Sequence, residues 1–298
     1  MFSAVKPQRL FYIHNSIILF IILETYLRRG TLEMNEKTDF YIAIDTVASN
    51  TWPAESSTSI DNWLLRASRG VTKRANSVLA IGEYPNDPNW LAKIEQFYQE
   101  LGLPAIFHIS NASHEGLDEF LQTKGYAIDT PCLMMTATSR QVSDNASNKM
   151  MQKKSSFQIE WAEAADTEWL DAFLMLEQFP EERRGFYSGL FERMPSPKGF
   201  LKLKLNDQII ALGTAIVEDE WAGFVNVVIH EGHRGQGLGY VLMHALTEWS
   251  LEHGATKQYL QVVTSNIPAV TLYEKLGYQA RYGYHYRIKY DLQPLVSS

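Results

Sequence analysis

The chain has 298 residues, of which 45% are hydrophobic and 20% charged, so it can build one large domain or two small ones. We favour two domains. A net charge of -7 argues against a nucleic-acid partner, because proteins that bind phosphate backbones usually carry a basic face. A single cysteine, Cys132, excludes an internal disulfide, and no Cys/His set has the spacing of structural zinc. These features predict a reducing compartment, and we expect the cytoplasm.

Residues 1–36 are predicted to be an amino-terminal extension. The apolar run Ile17 to Leu23 follows Lys6 and Arg9 and resembles a signal-peptide core, but no small-residue cleavage site follows it. The run is also shorter than the ~20 apolar residues that span a bilayer. We interpret the segment as disordered or loosely packed, with Met34 as an alternative start. Membrane association or export stays open as the alternative, and we do not expect a membrane protein.

The next segment, 37–138, contains FYQELGLPAIFHI (97–109) and then LDEFLQTKGYAIDT. A similar pair of strings occurs later, as WSLEHGATKQYLQVV (249–263) and AVTLYEKLGYQAR. Gly102 and Gly254 are 152 residues apart, and so are Gly125 and Gly277. Equal spacing is not expected by accident, so the pattern predicts a duplicated unit of helix, strand, short helix and strand.

Between the copies lies a polar stretch, 139–156, with turn formers and charges but no apolar periodicity. This composition is typical of an interdomain linker. The sequence therefore predicts domains at 37–138 and 157–298. Strands that alternate with helices imply a mixed α/β (α+β) fold, with helices on the faces of a sheet.

In the second domain, Ala222 to Ile229 is a strand candidate that runs into HRGQGLG (233–239) and then an amphipathic helix. Glycines let backbone N–H groups converge, and the helix start adds unpaired donors and the positive end of a dipole. Such a turn can bind an anion, most naturally a diphosphate, with Arg234 as a charged contact. The alternative is a merely tight turn with a solvated Arg234.

Two familiar phosphate-binding motifs do not match this sequence. A Walker loop ends in Gly-Lys-Ser/Thr, where this chain has Leu238-Gly239-Tyr240. A dinucleotide-binding loop needs glycine at position 240 and an acid near the end of the next strand, where Val262, Val263 and Thr264 stand.

The order of RGQGLG, a helix, a strand and then NIPAVTLYEKLGY resembles the GCN5-related N-acetyltransferase (GNAT) family over about residues 157–290. The resemblance implies two tandem GNAT-like mixed-sheet domains, of which the carboxy-terminal one binds the cofactor. In the amino-terminal copy, the offset of 152 residues puts Gly82 at the position that corresponds to Arg234. The positions that correspond to the three glycines of the motif are occupied by Glu83, Pro85 and Asp87. Acids and prolines do not suit an anion, so we expect this copy to be structural or one wall of an acceptor pocket.

The resemblance also assigns roles in binding acetyl-CoA as co-substrate, with no metal. It implies that backbone groups of the strand face the pantetheine and thioester, that the turn holds the pyrophosphate, and that Asn266 lies near the pantetheine arm, although Asn266 also suits a helix cap. Tyr273 matches the tyrosine that approaches the coenzyme sulfur, although it also suits a core aromatic. The cofactor-binding candidates are Val227, Val228, Ile229, Arg234, Gly235, Gln236, Gly237, Leu238, Gly239, Asn266 and Tyr273.

The general base is not readable with the same precision. Asn226 stands near the usual strand position, and Glu218 and Glu220 lie at a predicted hairpin, where carboxylates are commonly solvated. Glu177 could reach the acceptor cleft. The candidate catalytic residues are therefore Tyr273, Glu218 and Asn226.

Other chemistry is less well supported. Cys132 lies in an apolar strand and is predicted to be a buried, inert thiol rather than a nucleophile. His230 and His233 lack a third metal ligand. Lys73-Arg74 could contact an acidic group, but we interpret it as a surface pair. Tyrosines of YGYHYR (282–287) either line the acceptor cleft or pack within a strand.

The sequence predicts an acetyl-CoA-dependent N-acetyltransferase that transfers the acetyl group directly to an amine of a small molecule or peptide. The cleft is expected between the carboxy-terminal sheet and residues 179–195. A non-catalytic acyl-CoA-binding sensor or structural module is the alternative, and transfer of longer acyl chains stays open. The acceptor and the oligomeric state are not readable from the sequence.

Overall fold

The computed structural model describes residues 36–150 and 157–290. The predicted extension falls almost entirely outside the described residues; only its last position is included. Two compact units are distinguished, residues 1–44 and residues 45–298. Helix α1 covers residues 36–50, and the sheet that carries the site belongs to the second unit.

The first half of the sheet-forming unit follows the predicted rhythm. After β1 and β2, which form a hairpin, it continues with a short strand, a helix, a strand, a helix and a long strand. The elements are β1 (Ser56–Ile60), β2 (Trp63–Ala67), β3 (Val78–Leu79), α2 (Trp90–Glu100), β4 (Ile106–Ile109), α3 (Leu117–Thr123), β5 (Ala127–Thr138) and α4 (Ser139–Met150).

The second half is longer because it adds a first strand and two helices before its antiparallel strands. Its elements are β6 (Gln158–Ala162), α5 (Thr167–Leu176), α6 (Arg184–Arg193), β7 (Lys198–Leu205), β8 (Gln208–Glu218), β9 (Trp221–Ile229), α7 (Leu238–Glu252), β10 (Lys257–Val263), α8 (Ile267–Leu276) and β11 (Gln279–Ile288). The predicted repeat is confirmed, because α2-β4-α3-β5 and α7-β10-α8-β11 are the same sequence of elements.

In the described part of the chain, eleven strands form one continuous mixed sheet in the order β1-β2-β3-β4-β11-β5-β10-β9-β8-β7-β6. The last strand of each half lies in the other half's part of the sheet. Strand β11 pairs antiparallel with β4 and β5, and β5 also pairs antiparallel with β10. The sheet therefore crosses the predicted boundary between the domains, and each half is completed by a strand of the other.

The predicted linker 139–156 is wrong for its first part, since residues 139–150 form helix α4. The buried residues of α4 are Ser139, Val142, Ser143 and Ala146, which recur at helical spacing. The Ser139 hydroxyl donates to the carbonyl oxygen of Ala255 at 2.8 Å. Small and polar side chains pack this face closely, and for that reason apolar periodicity did not reveal it. Residues 151–156 lie outside the described part.

Helices cover both faces of the carboxy-terminal half of the sheet. Helix α7 packs on one face, where Leu242 and Leu246 join a cluster with Leu203 and Leu260. Helices α5 and α6 pack on the opposite face, in a cluster that includes Phe200, Leu212, Ile216 and Val228. Alternation along the strands separates the two clusters. Among the described residues, no helix is both long and apolar enough to cross a membrane.

Candidate functional site

Strands β9 and β10 diverge at the edge of the sheet that faces the glycine-rich turn. They pair in parallel only from Trp221 to Phe224 of β9 and from Lys257 to Leu260 of β10. Strand β9 continues to Ile229 while still paired with β8. The last residues of β9 thus have backbone groups on one side without a strand partner, and such groups are available to a ligand.

A β-bulge at Asn226 and Val227 accompanies this divergence. The register passes from Thr214 opposite Val225 to Leu212 opposite Val228, so two residues of β9 face Gly213. Asn226 has a φ of 55°, and its amide donates to the Thr214 hydroxyl at 3.1 Å. Asn226 therefore shapes the strand, because asparagine tolerates the left-handed conformation that a bulge can require.

The turn between β9 and α7 is built from glycines in left-handed conformations. Gly235 has a φ of 72° and Gly237 a φ of 82°, and Gly237 is the N-cap residue that directly precedes α7. The first N–H groups of a helix have no acceptor within the helix and carry the positive end of its dipole. The Arg234 side chain folds back, with Nε donating to the Ile229 carbonyl at 3.0 Å. This turn can hold an anion.

The predicted cofactor residues lie together around one cavity of about 1290 Å³. The cavity runs from the free edge of β9, along the turn and the start of α7, to α8. It is lined by residues 149, 150, 157, 159, 177, 227–229, 233–241, 266, 268, 269, 271–273 and 275. Every predicted cofactor-binding residue is in this set, so the structure brings all of them to one place.

Gly239 allows α7 and α8 to approach closely beside the cavity. A Cβ atom on Gly239 would lie 2.6 Å from Cδ2 of Leu272, well inside van der Waals contact. The third glycine of the motif thus serves helix packing, whereas Gly235 and Gly237 serve the backbone conformation of the turn.

Tyr273 of α8 is buried against the cavity, with 8% of its surface exposed. Its ring centroid is 5.8 Å from that of Tyr278. Burial raises the pKa of Tyr273 to about 12. The phenol is uncharged at neutral pH, and its raised pKa makes it a weaker acid than a solvated tyrosine.

Asn266 caps helix α8 and also lines the cavity. Its side-chain oxygen accepts from the backbone N–H of Ala269 at 3.3 Å. The helix-cap alternative considered from the sequence is therefore confirmed. The cap uses the side-chain oxygen of Asn266 and does not involve its amide N–H donors.

Of the carboxylates considered from the sequence, Glu177 is the one that lines the cavity. It follows helix α5 and is half-buried, and burial raises the pKa of its carboxyl above the usual value, although Arg234 opposes part of this effect. Glu218 lies at the opposite end of β8, where its carboxylate accepts from the Asn50 amide at 2.8 Å. Glu220 pairs with Lys257. The structure does not bring Glu218 or Glu220 to the cavity.

Three cationic or titratable side chains at the cavity were not selected from the sequence. Lys149 comes from α4, Lys275 from the end of α8, and His233 from the turn. Lys149 was missed because its segment was interpreted as a linker. Lys275 could have been found, since it lies in the helix motif itself. Together with Arg234 they make this wall suitable for a polyanion.

In the amino-terminal half, aromatic side chains fill the place that corresponds to the cavity. The Tyr84 ring centroid lies 4.5 Å from that of His114, 5.7 Å from Trp90 and 6.3 Å from Phe120. By the offset of the repeat, His114 and Phe120 correspond to Asn266 and Leu272. This packing supports the prediction that the first copy does not hold the cofactor in the same manner.

Other sequence interpretations have mixed outcomes. Cys132 is buried, as predicted, and burial raises the pKa of its thiol. Tyr282, Tyr284 and Tyr286 are buried in β11, which matches the packed-strand alternative. The described residues include no group of three or more His, Cys, Asp or Glu side chains that could hold a metal ion.

Lys73 and Arg74 are partly buried rather than a fully solvated pair, and the alternative that the pair contacts an acidic group holds for Lys73. The Lys73 ammonium bonds to Asp129 at 2.9 Å and to the Thr130 hydroxyl at 2.8 Å. Arg74 is half-buried and lies over the ring of Trp52. Ala75 of the same short helix is buried, so the two cationic side chains lie at the edge of the packed interior rather than within it.

Comparison with known proteins agrees with this geometry. Residues 42–288 match the family model described as "Probable histone acetyltransferase Rv0428c C-terminal". The chain is 42% identical to the uncharacterized N-acetyltransferase YobR of Bacillus subtilis (strain 168) over 246 residues, which cover 83% of this chain and 97% of YobR.

Two solved structures share the fold. A GCN5-related N-acetyltransferase from Kribbella flavida has a TM-score of 0.61 at 17% identity, covering 84% of this chain and 94% of its own. A tandem GNAT protein from the clavulanic acid biosynthesis pathway has a TM-score of 0.59 at 14% identity, covering 71% of this chain and 74% of its own. The chain belongs to the GCN5-related N-acetyltransferase family and is an N-acetyltransferase of the tandem type.

Proposed function

We propose that the protein transfers an acetyl group from acetyl-CoA directly to an amine of a small molecule or peptide. The observation that carries this proposal is the opening between β9 and β10, which leads onto the glycine turn at the start of α7. A free strand edge suits the amide-bearing pantetheine arm. The adjoining turn suits the pyrophosphate. The two features adjoin in one cavity of sufficient size for such a carrier.

Binding of acetyl-CoA is assigned to backbone groups more than to side chains. The turn from Arg234 to Gly239 would hold the pyrophosphate, with Lys149 and Lys275 adding charge at the cavity wall. The free edge of β9 at Val227 to Ile229 would bond the pantetheine and the thioester carbonyl. Hydrogen-bond donors that are fixed against the negative charge developing on the carbonyl oxygen raise the reaction rate by about 10²- to 10³-fold.

In the transfer itself, the amine lone pair attacks the thioester carbon, a C–N bond forms and the C–S bond breaks. Two protons must then move. The amine loses one proton, and the departing sulfur gains one. Tyr273 is proposed to donate to the sulfur, because it lines the cavity and carries a protonated phenol at neutral pH; the resulting phenolate regains its proton from water.

Glu177 is proposed as the base that accepts the proton from the amine, directly or through water. It directly follows helix α5 and is the carboxylate among the described residues that line the cavity. A carboxyl whose pKa is raised by burial is a stronger base than a solvated one. Asn226 is instead proposed to maintain the bulge that presents Val227 and Val228, and we assign no role in transfer to Glu218.

The decisive experiment measures release of free thiol from acetyl-CoA with a panel of amines and peptides, beside calorimetric binding of acetyl-CoA. Thiol release that depends on the amine, with matching acetylated product, is the expected result. Binding without thiol release would favour an acyl-CoA sensor. No binding at all would overturn the proposal.

A further inference from the structure

A half-buried arginine of the amino-terminal half lies next to the cluster that helices α5 and α6 form with the sheet. Arg74 belongs to a short 3-10 helix, Lys73–Ala75, between β2 and β3. Its guanidinium carbon lies 4.9 Å from the centroid of the Trp52 ring. The Trp52 indole N–H is fixed by a 3.1 Å hydrogen bond to the Thr72 hydroxyl. The ring holds one face of the guanidinium and leaves its edge donors free.

Among the described residues, Arg74 has no hydrogen-bond or ion-pair partner. The acids nearby are already engaged. Asp129 pairs with Lys73 at 2.9 Å, and Asp45 accepts hydrogen bonds from Ser110 and Tyr282. Partial burial of a guanidinium without a counter-charge is unfavourable, so a charge without a partner beside a site indicates a ligand.

The position of Arg74 connects it to the proposed acceptor side. Trp52 and Ala75 pack in the same cluster as Val228, and Val228 lines the cavity. The loop of the first half thus forms a wall next to the α5 and α6 side of the second half.

We infer that the acceptor amine carries a carboxylate, which Arg74 binds against Trp52. A guanidinium matches the planar, two-oxygen geometry of a carboxylate and donates two parallel hydrogen bonds to it. This inference rests on the proposed function, since it names the chemical class of the acceptor for the same site. It also gives the degenerate half a role in selecting the acceptor.

The test uses product-like probes, so it does not require the natural acceptor. N-acetylated amino acids are titrated by calorimetry into the full-length protein with coenzyme A present, each beside its C-terminal amide. We expect at least one free acid to bind about 10-fold or more tightly than its amide, as one charge-assisted pair allows. Arg74→Gln should abolish this preference, and Arg74→Lys should retain part of it.

Arg69→Gln is the matched control, because Arg69 lies in the same loop but is exposed and paired with Glu55 at 2.8 Å. It should keep the full preference for the free acid. Equal binding of acids and amides, no binding of any acid, or a preference that survives Arg74→Gln would each overturn the inference. Acetyl-CoA affinity, measured separately for every variant, reports on folding and on the proposed function. If the unmodified protein does not bind acetyl-CoA, the proposed function itself is refuted.

Discussion

Arg287 of β11 and Asp118 of α3 form a two-pronged ion pair that joins the two halves of the chain. Nε of Arg287 lies 2.7 Å from Oδ1 of Asp118, and Nη2 lies 3.0 Å from Oδ2. Nη1 also donates to the Tyr126 carbonyl at 3.0 Å. The Arg287 side chain is 4% exposed, so its charge depends on these partners. The pair holds the exchanged strand β11 against the first half.

Replacement of Asp118 by asparagine should destabilise the protein by about 2–4 kcal/mol at pH 7, because it leaves a buried guanidinium without a carboxylate. The hydrogen bond from Arg287 lowers the pKa of Asp118 in the folded state. The pair's contribution is therefore complete above the usual carboxyl pKa of 3.8 and is lost as the pH falls through the lowered value. Chemical unfolding at several pH values measures the difference.

Asp87→Asn is the control for this prediction. Asp87 pairs with Lys93 at the surface of the same half, and exposed pairs contribute little. Its loss should leave the unfolding midpoint nearly unchanged. An equal effect of both substitutions, or an Asp118→Asn effect that persists at acidic pH, would contradict the assignment of the pair as a clamp.

Gly237→Val should abolish or severely weaken acetyl-CoA binding. The φ of 82° at Gly237 is unfavourable for a β-branched residue by about 1–3 kcal/mol, so the turn would have to change shape. Gly254, at the end of the same helix, has a φ of 92° and open space around it. Gly254→Val should cost similar stability but retain binding, and calorimetry beside thermal unfolding separates the two effects.

The repeat and the cofactor turn were predictable because both depend on local sequence. Gly102 and Gly254 follow the ends of equivalent helices. Residues 233–239 place several glycines between a strand and a helix, and this local pattern is specific for an anion-binding turn. The exchange of β5 and β11 was not predictable in this way. Strand order depends on pairing between residues more than 100 positions apart, and hydrophobic pattern does not specify the neighbour of a strand.

The site was predicted where backbone conformation determines it and missed where distant side chains complete it. All cofactor-binding candidates line the cavity, because the motif itself forms the turn. Glu218 was selected as a catalytic candidate from a hairpin position, but the length of β8 places it at the other end of the strand. The partial burial of Arg74 was missed because only the fold brings Trp52, on which it packs, beside it.

Tyr273→Phe should lower kcat by about 10²-fold and leave the KM for acetyl-CoA nearly unchanged, because the ring still packs while the proton donor is lost. Since burial raises the pKa of Tyr273 to about 12, the rate should show no alkaline loss from this residue near pH 9. Tyr278→Phe is the control. Its hydroxyl donates to Gln258 at 2.6 Å in the core, so it should lower stability but not kcat.

Glu177→Gln should lower kcat by about 10²-fold or more if Glu177 accepts the amine proton, whereas acetyl-CoA should still bind. In the unmodified protein the ionised carboxylate is the active form, so the rate should rise with pH through the Glu177 pKa. Burial raises this pKa above 4.5, and the acidic limb should therefore lie above that value. The acidic limb of the pH profile should disappear in Glu177→Gln.

The control is Glu181→Gln, which removes an exposed partner of Arg184 and should keep both the rate and the acidic limb. A limb that persists without Glu177 would assign the base to another group.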